Sequence, residues 1–294
     1  MILQNKNKKV GDNIAKFQPV IKWSGSKRSQ AEYIVSKFPK EVNTYYEPFC
    51  GGCSVLRQLL DSDIKVNQYT CSDINKDLID LWNNIKNNPA ELSRNYYVMW
   101  NELNVDDDKE RKKQYFYKIR ERFNKYKNPS DFMFIMRTTT NGMPRYNKNG
   151  EFNNSFHITR NGIKPKTLDK IIFEWAELLN KNNVQFIHTS YEKIKSYKDD
   201  VLYLDPPYAN TKGMYYGTID YKKFWEWLKN QQGMYLLSFD GVTTSEDMTY
   251  SVPVDIYDTH EYVYSGNSSF RRVIGTSNKE YISESLYIKN IILK

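Results

Sequence analysis

A chain of 294 residues, 39% hydrophobic and 15% aromatic, holds enough apolar material for one large α/β unit carrying a smaller inserted one. Lys and Arg outnumber Asp and Glu by 43 to 35, and the formal net charge of +8 is compatible with a nucleic acid partner, an acidic membrane surface or plain solubility. No window nears the roughly 18 consecutive apolar residues of a membrane span. The N-terminal stretch lacks the apolar core of a signal peptide, and three cysteines make no disulfide framework, so a cytoplasmic protein is expected.

In chain order, the apolar run Thr44–Pro48 reads as a first strand, followed by a glycine turn (Gly51-Gly52) and a helix over Ser54–Leu60. A second strand, Gln68–Ser72, leads to Asp73 and a helix over Asn75–Lys86 with apolar residues at helical spacing. Further strands are expected at Val184–His188, Val201–Leu204 and Tyr235–Phe239, with helices over Leu168–Leu179 and Tyr221–Lys229. Such alternation implies βαβ units and a mostly parallel, doubly wound sheet. From Ser251 onward, Tyr/Val/Ile-rich alternation suggests closing antiparallel strands.

Residues 91–166 break this rhythm. A charged helical pattern (Lys109–Lys127) is followed by Phe132–Arg137 and then a polar run in which Asn149-Gly150 signals a hairpin. Between Lys109 and Lys166 fifteen Lys/Arg face four Asp/Glu, a net of +11, so the rest of the chain nets −3. Concentrated positive charge suits a polyanion, although a solvated lysine-rich helix has the same composition. We expect 1–90 and 167–294 to form one domain and 91–166 an inserted one.

The most specific motif is Asp205-Pro206-Pro207-Tyr208 after the apolar run Val201–Leu204. The strand delivers Asp205 to its carboxyl end, where open α/β sheets bind ligands. The two prolines lack amide donors and fix φ, leaving a rigid, extended turn. The Asp205 carboxylate and the Pro206 carbonyl then form adjacent acceptors for an –NH₂ group, and Tyr208 offers a flat face to a base. Upstream, Gly51-Gly52 between strand and helix allows close approach of backbone amides to a cofactor. Asp73, at the end of the next strand, occupies the position of a ribose-binding acid, although a helix N-cap would equally call for aspartate. Cys50-x-x-Cys53 is not read as a metal site, because the three histidines are scattered and the cysteines sit within the glycine turn.

With these motifs in place, the chain resembles the Dam-type (D12 class, alpha-group) adenine-specific DNA methyltransferases from Val20 to about Tyr287. Ile21–Lys27 is similar to the family's KWAGGK motif, Phe49–Cys53 to its F-x-G-x-G loop, and Asp205–Tyr208 to its catalytic DPPY. Asn141–Asn153 is similar to its target-recognition hairpin, and Phe270–Arg272 to a late motif. Cys53 stands where the family has glycine; Thr140 and Ser155 replace residues that are often aromatic and proline.

The resemblance implies a Rossmann-like class I methyltransferase fold that uses S-adenosyl-L-methionine. Trp23, Lys27, Phe49, Gly51, Asp73, Ser190, Tyr191 and Asp205 would line the cofactor pocket, although Trp23 and Phe49 could equally be core aromatics. Asp205, Pro206 and Tyr208 would act on an adenine flipped from double-stranded DNA. Lys22, Asn141, Met143, Arg145 and Tyr146 would contact the duplex. Arginine and lysine favour the guanine edge in the major groove, so a guanine-containing site is expected, with GATC the leading choice. A monomer without metal or membrane attachment is expected.

Overall fold

The computed structural model describes residues 17–140, 142, 144–208, 219–243, 251–267 and 281–289. Among these, seven strands form one sheet: β1 (Glu41–Glu47), β2 (Lys65–Asp73), β3 (Gln185–His188), β4 (Val201–Leu204), β5 (Met234–Thr243), β6 (Thr259–Asn267) and β7 (Tyr281–Lys289). Their order is β3-β2-β1-β4-β5-β7-β6. Strands β1 to β5 run parallel, while β7 lies antiparallel between β5 and β6. The doubly wound, mostly parallel sheet and its antiparallel C-terminal closure agree with the sequence pattern.

All four residues of β4 are buried, as expected of an interior parallel strand covered on both faces. Strand order reverses between β1 and β4, so a crevice opens at their carboxyl ends, the usual ligand site of such sheets. Both expected acids lie at that edge: Asp73 ends β2, and Asp205 directly follows β4.

Eight helices accompany the described strands: α1 (Ala31–Val35), α2 (Ser54–Leu60), α3 (Lys76–Asn87), α4 (Pro89–Leu103), α5 (Lys109–Tyr126), α6 (Pro129–Thr138), α7 (Pro165–Lys181) and α8 (Tyr221–Lys229). The α3 stripe Leu78, Ile79, Leu81, Trp82 and Ile85 is wholly buried, and Asn75 caps the helix by accepting from the Leu78 amide. Helix α5 buries only Lys112, Phe116, Ile119 and Phe123, leaving most of its charged surface in solvent.

The sequence pattern did not anticipate α4, which buries Leu92, Tyr96, Met99 and Leu103. The run Phe132–Arg137 belongs to the longer α6, started by Pro129 and capped by Asn128. One continuous core joins these helices to the sheet.

The expected hairpin is present as two isolated bridges, Thr139 to Phe156 and Tyr146 to Phe152, rather than a regular ladder. Its turn closes with the Gly150 amide donating to the Asn147 carbonyl, with Gly150 at φ +73°. Three ties hold it. Asn124 of α5 pairs with both backbone groups of Phe152, the Tyr146 hydroxyl donates to Asp77 of α3 at 2.8 Å, and the Ser24 amide donates to the Gly142 carbonyl. Asn141, Met143 and Phe270–Arg272 lie outside the described residues.

Candidate active site

The crevice at the carboxyl edge is a cavity of about 540 Å³. Trp23, Lys27, Phe49, Gly51, Asp73, Ser190, Tyr191, Asp205, Pro206 and Tyr208 all line it. Lys22, Arg145 and Tyr146 lie outside it.

On the β1 side, the chain turns sharply between strand and helix. Gly51 has φ +44°, and a Cβ there would come within 2.8 Å of the Trp23 indole nitrogen. Glycine at this point therefore lets Trp23 cover the loop. Cys53, where the resembled family carries glycine, also sits in the left-handed region at φ +51°. This backbone strain is tolerated because Cys53 is fully buried and its amide donates to the Cys50 carbonyl. Burial pushes the Cys50 thiol up to about 12, so it stays protonated. Among the described residues no group of three or more His, Cys, Asp or Glu side chains is arranged to hold a metal.

Asp73 reaches across this turn. One carboxylate oxygen accepts the Gly51 amide at 3.3 Å and the other the Asn75 amide at 2.9 Å. The α3 cap is Asn75, so the capping role open to Asp73 in the sequence belongs to its neighbour. Burial raises the Asp73 carboxyl to about 6, against the lowering effect of the backbone donors. Opposite, Tyr191 packs on Phe49 at 5.6 Å and on Phe224 at 5.1 Å, forming an apolar wall. Ser190 starts the short turn Tyr191–Lys193 and lies at the rim.

The other half of the cavity is charged. Lys27, only 5% exposed, places Nζ 2.8 Å from both oxygens of Asp205 and 3.1 Å from the Gly25 carbonyl. Expected among the cofactor residues, Lys27 thus lies against the DPPY aspartate. Burial raises Asp205 to about 6; Lys27 opposes the shift and the nearby Glu284 carboxylate adds to it. Tyr208 donates to Glu284 at 3.0 Å, and its ring lies 5.2 Å from the Lys27 ammonium. Pro206 is buried at the wall, and the next carbonyl, that of Pro207, accepts the Tyr221 hydroxyl, fixing the course of the turn.

Four lining acids escaped the sequence reading: Glu47, Glu192, Asp220 and Glu284. Glu284 lies on β7, in a strand whose alternation gives no sign that it faces a cavity. Glu47, adjacent to Pro48 at the end of β1, accepts from the Tyr45 hydroxyl and the Leu56 amide, and burial raises it to about 8.

Beside the cavity, Lys22 is exposed and backs onto Gly142 of the hairpin loop. Burial, Arg160 and Arg137 all lower its pKa, which marks a cluster of cations at the hairpin base. The Arg145 side chain is exposed while its backbone is fixed, with N donating to Asn154 and O accepting from Asn153. Tyr146, by contrast, is occupied in tying the hairpin to α3.

This geometry brings the Asp205 carboxylate and the Tyr208 ring into one cavity with an acid, a glycine turn and an aromatic wall. Among known proteins, the chain is 34% identical over 205 residues to the type II methyltransferase M.MjaIII of Methanocaldococcus jannaschii, a match covering 65% of this chain and 69% of that one. It is 29% identical over 207 residues to the type II methyltransferase M1.LlaDCHI of Lactococcus lactis subsp. cremoris, covering 67% of each. It is 34% identical over 200 residues to the DNA adenine methylase of Escherichia coli K12, covering 66% of each. The family described as D12 class N6 adenine-specific DNA methyltransferase matches residues 23–263, and the chain belongs to that family.

Proposed function

We propose that this enzyme methylates the exocyclic N6 amine of adenine at a guanine-containing site in duplex DNA, GATC being the leading sequence, and that the adenine leaves the helix to reach the cavity. As a D12-class protein it is a site-specific adenine DNA methyltransferase. The observation that carries the finer reading is the single cavity in which Asp205, Pro206 and Tyr208 stand opposite Asp73 and Gly51. A base-paired adenine amine cannot enter such a crevice, which favours extrusion of the nucleotide.

The methyl donor is S-adenosyl-L-methionine, and the residues suit it. The Gly51 turn lets Trp23 close over the loop at the cavity wall, Asp73 offers a carboxylate for ribose hydroxyls, and Phe49 with Tyr191 offers an apolar wall. When bound, the cofactor supplies an electrophilic methyl group. Tyr208 stacks on the target base. Asp205 and the Pro206 carbonyl accept the two amine hydrogens, which turns the nitrogen lone pair outward and gives Asp205 the proton released on methylation. Positioning of two bound reactants is worth up to several kcal/mol of barrier without any covalent intermediate on the protein.

We assign 1–90 and 167–294 to catalysis and 91–166 to target recognition. The excess positive charge of the insertion supports this, as does the firmly held hairpin with exposed Arg145 at its edge. Lys22 and Arg145 are the proposed guanine readers. Sequencing genomic DNA from methylation-deficient bacteria expressing the chain, with N6-methyladenine detection, tests base and target together. Absence of methyladenine would overturn the reading, and methylation at a site without guanine would overturn its specificity half.

A further inference from the structure

The carboxylate of Glu284 has no role in the acceptor pair, yet it is built into the same cavity. Its Oε2 accepts the Tyr208 hydroxyl at 3.0 Å and lies 3.4 Å from Lys27 Nζ. One lysine near the start of the chain therefore stands between two carboxylates from its C-terminal third. The backbone is shaped to bring Glu284 there. On the neighbouring β5, the register with β7 slips between Phe239 and Gly241, with Gly241 opposite Glu284. The residue between them, Asp240, adopts φ +36°. A Cβ at Gly241 would come within 2.8 Å of the Glu284 Cα, so only glycine lets the strands close at this point. Bulges of this kind re-aim side chains beside active sites.

We propose that Glu284 is a positioning residue of the transfer reaction: it fixes the Tyr208 hydroxyl, and it gives Lys27 a second carboxylate to hold when the target amine takes up Asp205. The inference rests on the reading of Asp205 as an acceptor of that amine. In the structure Lys27 occupies both Asp205 oxygens, the same atoms the amine needs. Freeing an oxygen would leave a buried ammonium short of a partner, a costly state in a low-dielectric site. Glu284 removes that cost, because Lys27 remains paired as it moves off. The same hydrogen bond keeps the Tyr208 ring from turning out of the path of the base.

The charged and titratable groups facing Asp205 are Lys27, Glu284, Tyr208, Tyr203 and Glu47. Of these, Glu284 and Lys27 act on it in opposite directions, so removing the Glu284 charge has a defined sign. With one negative charge fewer and Lys27 left to Asp205 alone, the Asp205 carboxyl titrates lower, and the acid limb of the rate profile moves to lower pH.

The test compares wild-type enzyme with Glu284→Gln and Glu284→Ala, using tritiated S-adenosylmethionine and bacterial genomic DNA free of N6-methyladenine. Both variants should lose about 10- to 100-fold in kcat, the scale of a small misplacement of reacting groups, with KM for the cofactor near the wild-type value. Glu284→Gln should also shift the acid limb of kcat/KM, which reports the free enzyme, downward, which a merely structural residue would not do. Wild-type kcat with an unmoved acid limb would overturn the proposal. Asp205→Asn run in parallel separates the two readings: if it keeps turnover, the assignment of Asp205 has failed, and if it is inactive beside a wild-type Glu284→Gln, the role of Glu284 alone has failed. Thermal melting and S-adenosylhomocysteine titration establish that the variants fold. Should they not, Tyr208→Phe asks the same question from the other end of the bond: a loss of kcat with cofactor affinity retained supports the proposal, and full activity overturns it.

Discussion

Lys27 Nζ stands 2.8 Å from each carboxylate oxygen of Asp205, a contact between residues 178 positions apart. With Lys27 only 5% and Asp205 19% exposed, the pair lies largely out of water, where charge interactions are strong. Burial raises Asp205 to about 6 even with the lysine beside it. The carboxylate is the form that accepts the amine hydrogens, so its protonation should switch the reaction off.

The rate of methyl transfer should therefore fall as pH drops through about 6, well above the ordinary aspartate range. Asp205→Ala should abolish transfer while retaining duplex binding. A variant with a tenth of wild-type turnover, or a wild-type acid limb near pH 4, would contradict the assignment. Lys27→Ala removes the group that lowers the Asp205 pKa, so its acid limb should move to higher pH, opposite to the shift expected for Glu284→Gln.

Asp73 is held by the Gly51 and Asn75 amides and leads into the cavity beside the glycine turn. Asp73→Ala should weaken S-adenosylhomocysteine binding by about 1.5–3 kcal/mol, the scale of a charge-assisted hydrogen bond, while DNA affinity changes little. Calorimetric titration measures both. Because Asn75 caps α3, helix unwinding should not accompany the loss. Unchanged cofactor affinity would leave Asp73 as a brace for the turn.

Glu47 gives a stability prediction with a definite sign. Its folded carboxyl is raised to about 8, so between the unfolded carboxyl range and pH 8 the folded protein holds a proton that the unfolded chain releases. Wild-type stability should fall as pH rises through that window. Glu47→Gln keeps an oxygen for the Tyr45 hydroxyl and the Leu56 amide without the titration. Its melting temperature relative to wild type should rise steadily from pH 5 to pH 8. A constant difference across that range would show that Glu47 does not titrate there.

The two acids at strand ends were legible because their surroundings are local: an apolar run places Asp205, a glycine turn and a second strand place Asp73, and the prolines stop β4. Lys27 was legible as a motif member but not as the partner of Asp205, since nothing local couples residues on the N-terminal segment and β4. Glu284 was invisible for a different reason. A lone glutamate in an alternating strand reads as solvent-facing, and only the pairing of β7 with β5 brings it beside Lys27 and Tyr208. Tyr146 shows the limit for amphipathic side chains. A tyrosine in a basic hairpin suits a base or a neighbouring carboxylate equally, and here Asp77 has it.

Arg145 carries the sharpest prediction about specificity. Its backbone is fixed by Asn153 and Asn154, the hairpin is strapped to α5 through Asn124, and its side chain is exposed. A guanidinium on such a rigid support can bond two acceptors of a guanine edge, a contact worth about 1–3 kcal/mol of discrimination. Arg145→Ala should therefore relax preference at one base pair. Lys148 is exposed at the hairpin turn, and we propose that it meets phosphate instead. Lys148→Ala should weaken binding to all sequences alike and flatten the salt dependence by about 0.9 in logarithmic slope. Methylation of a panel of duplexes, each with one base pair of the target substituted, separates the two at fixed salt. If Arg145→Ala lowers activity uniformly and preserves the ranking of sites, Arg145 positions the duplex, and sequence reading falls to Lys22 on the other side of the Gly142 contact.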